Sequence, residues 1–113
     1  MPMPPIDLTV FNRLKEISGE DFINELIEAF LDESPGMLAD IESALDSGDV
    51  ESFRRNAHSL KSNAATFGAS ELEALAKELE VMGREGNLEI GTRLETLKES
   101  FAATVEALKG LRV

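Results

Sequence analysis

The chain contains no cysteine, no tryptophan and no tyrosine, and its 113 residues include only four prolines. Without cysteine there is no disulfide framework and no thiolate metal site. No apolar run approaches the roughly 18 residues needed for a membrane span. Bases are scarce: 11 Lys and Arg stand against 22 Asp and Glu, a formal net charge of −11. Such a chain is repelled by nucleic-acid phosphates and by anionic lipid, so neither is expected as a partner. Neither a Walker-type G-x-x-x-x-G-K-[ST] loop nor a kinase glycine loop occurs, so the chain is expected to have no kinase activity of its own. The amino terminus, MPMPPIDL, lacks the basic residue and apolar core of a signal peptide, and a cytoplasmic location is expected. The acidic residues are scattered, without the D-x-[DN]-x-[DN]-G pattern of a calcium loop, and no resident metal is expected.

What is present is amphipathic helix, almost from end to end. The length suits one domain spanning 1–113, with residues 1–6 as an extended, proline-rich lead-in. A short helix is predicted from about Asp7 to Ile17, burying Val10, Phe11, Leu14 and Ile17. Ser18, with Asp21 three residues on, resembles the start of the next helix. From Gly19 to Glu33 the apolar positions Ile23, Leu26, Ile27, Phe30 and Leu31 keep helical spacing. Pro35-Gly36 predicts an interruption, because proline disfavours helical geometry in the residue before it. A helix then resumes through Met37, Leu38, Ile41 and Leu45 and ends at Gly48.

Asp49 is a good N-cap for a helix running to Phe67 and closed by Gly68. Ser70 and Glu73 form a candidate capping box for the next helix, with Leu72, Leu75, Ala76, Leu79 and Met82 inward. Gly83, Gly86 and Asn87 mark its expected end. Ile90, Leu94, Leu97, Phe101, Val105 and Leu108 lay one stripe along a last helix. Nothing alternates in the manner of a strand. Short connections between amphipathic helices favour antiparallel neighbours. The expected fold is all-α: an antiparallel up-down four-helix bundle, with the short extra N-terminal helix packed across one end.

His58 is the only histidine. On a wheel at about 100° per residue, Phe53, Ala57, Leu60, Ala64 and Phe67 form one narrow apolar stripe, and His58 falls about 140° away from it. Ser62 and Ala65 flank the histidine, with Lys61 and Arg54 on the neighbouring part of the face. A core histidine is therefore disfavoured; an exposed histidine with no role is the plain alternative. From Ser52 to Ser70 there is no acid, while Arg54, Arg55 and Lys61 occur, leaving eight bases to all 22 acids elsewhere. A basic patch around an exposed imidazole suits an anion at the ring, although a solvated helix face would look the same. An ordinary imidazole is substantially neutral and nucleophilic near pH 7 and can hold a phosphoryl group as a phosphoramidate. A charge-assisted hydrogen bond from Lys61 would stabilise that group, and the small Ser62 and Ala65 leave room for an approaching protein.

The run Ala57-His58-Ser59-Leu60-Lys61-Ser62-Asn63-Ala64-Ala65-Thr66-Phe67-Gly68 resembles the signature of histidine-containing phosphotransfer domains, approximately A-H-x-L-K-[GS]-x-[AS]-x-x-x-G. Gly48-Asp49 and Leu79-Glu80 match further features of that family, and the similarity extends from about Ile6 to Leu108. The position after Lys61, most often glycine in the family, is serine here, which bears on partner choice. The resemblance implies a monomeric bundle with His58 as phosphoryl carrier and Lys61 near the phosphate. It also implies Glu80 as a candidate partner of the unphosphorylated ring nitrogen, and Arg84 as a docking or phosphate group. Arg54, Ser62, Ala65 and Gly68 are supporting or docking candidates. The simpler reading of Glu80 and Arg84 is an i, i+4 surface pair. The implied partners are receiver domains of a hybrid sensor histidine kinase or a response regulator. The receiver would supply the aspartate and Mg2+, and this chain no cofactor. Two other roles fit the same residues: a docking module that keeps the fold without the chemistry, and the phosphotransfer domain of a chemotaxis-type kinase.

Overall fold

The computed structural model describes residues 4–112. Of the predicted lead-in, Met1, Pro2 and Met3 lie outside the described residues. Five helices make up the described chain: α1 (Leu8–Ser18), α2 (Glu20–Ser47), α3 (Val50–Phe67), α4 (Ser70–Arg84) and α5 (Arg93–Leu111). Each of α2 to α5 packs on the next, and α5 returns to α2, closing the bundle, while α1 lies on α2 and α3. Two-residue turns join α2 to α3 and α3 to α4, which makes these pairs antiparallel.

The boundaries show where local signals prevailed. Asp49 caps α3, its side chain accepting from Ser52 N at 3.1 Å, and Gly48 and Gly68 close α2 and α3 in the left-handed conformation. Asp7 likewise caps α1 by accepting from Thr9 N. Ser18, by contrast, is the last residue of α1, and no side chain caps α2. A single glycine, Gly19 at φ 85°, makes the whole joint, a backbone conformation open to glycine and strained for serine. Ser70 is the first residue of α4 rather than its cap, and its hydroxyl donates to Gly68 O.

The predicted break at Pro35-Gly36 does not occur. α2 runs unbroken for 28 residues with Pro35 inside it. Proline removes one backbone donor and crowds the preceding turn. Apolar burial on both sides, by Ile23, Ile27 and Phe30 before it and Ile41 and Ala44 after it, holds the helix through the defect. At 1.5 Å per residue α2 is about 42 Å long, matching the 41 Å long axis of the molecule.

The core centres on Phe30, whose ring meets Phe67 edge-on at 5.5 Å and stacks on Phe101 at 6.0 Å, tying α2 to α3 and α5. In α1 only Phe11 is buried; Val10 and Ile17, expected inside, are exposed, because α1 covers the bundle with one narrow face. Ile90 is buried as expected but precedes α5, which begins at Arg93. No helix among the described residues is long and apolar enough to cross a membrane.

Candidate functional site

α3 and α4 build the site. The wheel reading of α3 holds: Phe53, Ala57, Leu60, Ala64 and Phe67 are buried, while His58, Ser62 and Ala65 share the exposed face. The His58 side chain is 54% accessible. Beneath it, on α4, lies Glu80, whose side chain is only 3% accessible and which is the one buried carboxylate among the described residues.

Three donors converge on this carboxylate. His58 Nδ1 lies 2.7 Å from Oε2, Lys61 Nζ lies 2.8 Å from Oε1, and Arg84 donates to Oε2 at 3.3 Å. A carboxylate withdrawn from water requires such partners, since burial alone disfavours its charge. Here the donors prevail. The Lys61 hydrogen bond, helped by that of His58 and by the charge of both, holds the Glu80 carboxyl below the usual carboxylate range against the upward push of burial.

This arrangement decides the chemistry of the ring. A carboxylate only accepts, so Nδ1 carries the hydrogen that Glu80 receives. The neutral ring then has its lone pair on Nε2, which has no partner among the described residues. An exposed imidazole with one nitrogen anchored and the other free is equipped to act as a nucleophile towards a group brought from outside.

The other candidates divide. Lys61 is held by Glu80, so in this state its ammonium is engaged at the base of the ring. Arg84 joins the cluster, and what could have been a surface i, i+4 pair has its acid buried. Arg54, one turn before His58, instead pairs with Glu51, so the acid-free stretch is partly neutralised from just outside it. Gly68 is away from the cluster, ten residues or about 15 Å of helix beyond His58. Its carbonyl accepts from Asp7 N at 2.8 Å, and a Cβ there would stand 2.8 Å from Val10 Cβ, so its place is in seating α1. Gly83, expected with Gly86 and Asn87 to mark the end of α4, is its penultimate residue, and it is buried there. Among the described residues no group of three or more His, Asp or Glu side chains is placed to hold a metal ion.

Fold and sequence together define a histidine-containing phosphotransfer domain: the family model for the Hpt domain matches residues 25–110, and the chain belongs to this family. Among solved structures it is similar to histidine-containing phosphotransfer protein B (HptB) from Pseudomonas aeruginosa PAO1, with a TM-score of 0.90 and 29% identity over 98% of this chain and 96% of that one. It is 38% identical over 95 residues to the phosphorelay protein LuxU of Vibrio cholerae, a match that covers 76% of this chain and 80% of LuxU. It is 30% identical over 105 residues to the sensory/regulatory protein RpfC of Xanthomonas campestris, covering 91% of this chain but only 14% of the length of RpfC.

Proposed function

We propose that this domain is a phosphorelay intermediate of two-component signalling that carries a phosphoryl group on Nε2 of His58, between the aspartate of one receiver domain and that of another. The observation that carries the reading is the His58–Glu80 contact, which anchors Nδ1 and leaves an exposed Nε2 as the nucleophile.

In the forward step the Nε2 lone pair attacks the phosphorus of a receiver phospho-aspartate. The N–P bond forms, the P–O bond to the aspartate breaks, and the bonding pair leaves with the carboxylate. The ring keeps its Nδ1 hydrogen throughout and becomes a phosphorylated imidazolium, whose positive charge faces Glu80. No proton has to be removed, so the reverse step, onto a second receiver's aspartate, runs over the same path. Lys61 and Arg84 are the cations beside the transferred group. The chain's own residues supply no metal in this reading; Mg2+ belongs to the receiver, where it offsets charge on the transferring group. The domain works as a cytoplasmic monomer, with Ser62 and Ala65 as the small residues over which a receiver closes, and Arg54 at the edge of that surface.

The test is transfer from phosphorylated receiver domains with Mg2+, followed by gel and intact mass, with His58→Gln alongside. Acid-labile phosphorylation of the wild type alone is expected. Retained transfer in a folded His58→Gln protein overturns the assignment.

A further inference from the structure

Glycine is the poorest helix former after proline, and Gly83, in the last turn of α4, is nevertheless buried. A Cβ at this position would stand 2.9 Å from Phe53 Cδ1 and 3.2 Å from both Cα and Cβ of Arg54. Neither neighbour can easily yield: Phe53 is fully buried, and the Arg54 Cα is backbone. The other two glycines within helices, Gly36 and Gly110, have nothing within 4 Å of the same construction. Only at Gly83, of these three, is the missing side chain the condition for a helix–helix contact.

The position of that contact matters. α3 and α4 are antiparallel, so the turn after Arg54 on α3 faces the turn before Gly83 on α4. Those turns hold His58 and Glu80. The place where Gly83 meets α3 is thus adjacent to the place where Glu80 reaches His58 at 2.7 Å and Lys61 at 2.8 Å. Hydrogen bonds of that length weaken over a few tenths of an ångström, which is the displacement a methyl group at Gly83 would impose on α4.

We propose that Gly83 is a positioning residue for His58: by letting α4 approach α3 at Phe53 and Arg54, it sets the separation at which Glu80 holds the ring in its Nδ1–H form. The role in transfer rests on the reading of His58 as the carrier; the role in ring geometry does not. Gly83 touches no reacting atom and acts through Glu80.

The experiment compares Gly83→Ala with Gly36→Ala and Gly110→Ala in the full chain. The readouts are the ¹⁵N shifts of the neutral His58 ring and the rate of phosphoryl acceptance from a receiver. The two control variants keep the wild-type Nδ1–H signature and rate. Gly83→Ala shifts the ring towards the Nε2–H form that free histidine prefers and slows acceptance by about three- to tenfold, less than the roughly hundredfold that a 1 Å misplacement can bring. A folded Gly83→Ala protein with the wild-type ring signature overturns the proposal. A shifted signature in a protein that, like the wild type, accepts phosphate from no receiver upholds the positioning role and sinks the carrier reading instead. Should Gly83→Ala fail to fold, Phe53→Leu/Gly83→Ala, which relieves the shortest contact, is compared with Phe53→Leu alone, and an unchanged ring in the double variant is equally decisive against.

Discussion

Lys61 Nζ stands 2.8 Å from Glu80 Oε1, the oxygen that His58 does not use. The two cationic or hydrogen-bearing groups of α3 therefore do not compete for one lone pair; each has its own oxygen on a carboxylate supplied by α4. The pair joins the helices as well as orienting the ring. Glu80→Gln keeps the shape and removes the charge, leaving the three-quarters buried Lys61 without its counter-ion. A loss of about 1–3 kcal/mol in urea denaturation at pH 7 is expected. A change below about 0.5 kcal/mol, the usual range for surface substitutions, would show that the cluster does not hold α3 to α4.

The same carboxylate makes stability depend on pH in a defined direction. Its folded pKa is depressed, chiefly by Lys61 and then by His58, so the unfolded chain binds this proton more readily. The contribution of Glu80 is complete above the unfolded carboxyl value of about 4.3 and disappears as pH falls through the lower folded value. The stability difference between wild type and Glu80→Gln should thus shrink as pH falls from about 5 towards 3. Glu51, held low by Arg54, is fully exposed and common to both proteins, so it cancels. A difference that stays level down to pH 3 would remove Glu80 as the source.

Pro35 sits at an exposed position inside α2 and gives the Leu31 carbonyl no backbone donor. Pro35→Ala should restore that hydrogen bond and raise stability by about 1–3 kcal/mol, given the roughly 3 kcal/mol by which proline disfavours a helix interior. Thermal denaturation measures this. A lower melting temperature would mean that α2 needs the local distortion proline imposes.

Ser34 is fully buried, and its hydroxyl has no hydrogen-bond partner among the described residues. Ser34→Ala removes that group without opening a large cavity, and a gain of about 1 kcal/mol is expected. A loss of similar size would show that the hydroxyl is satisfied in solution.

The outward face of α3 was legible because its stripe is narrow: five apolar residues within a small arc leave His58, Ser62 and Ala65 only one direction to point. The caps at Asp49, Gly48 and Gly68 were legible for the same reason, as local chemistry decides them. Pro35 misled because the rule about proline is local and the helix is held by burial distributed along nearly 30 residues. Glu80 and Gly83 show a different limit. On a wheel at about 100° per residue, Gly83 falls inside the arc of Leu72, Leu79 and Ala76, and Glu80 at its edge. That pattern could have marked Gly83 as a packing residue as well as a sign of the nearby helix end. How deep Glu80 sits depends on how closely α3 approaches, which no single helix encodes. Ile17 and Val10 were misplaced because α1, having only one neighbouring layer, buries less than its apolar content suggests.

The two-residue turn at Gly68-Ala69 gives the site a particular kind of independence. His58 and Glu80 are 22 residues apart on a single helical hairpin, so the whole apparatus is drawn from one short, continuous stretch of chain. Contacts of such small sequence separation form with little loop-closure entropy and early in folding. The site is thereby a local feature of the chain: α2 and α5 cover the apolar faces of the hairpin, while the groups that meet at Glu80 all come from the hairpin itself.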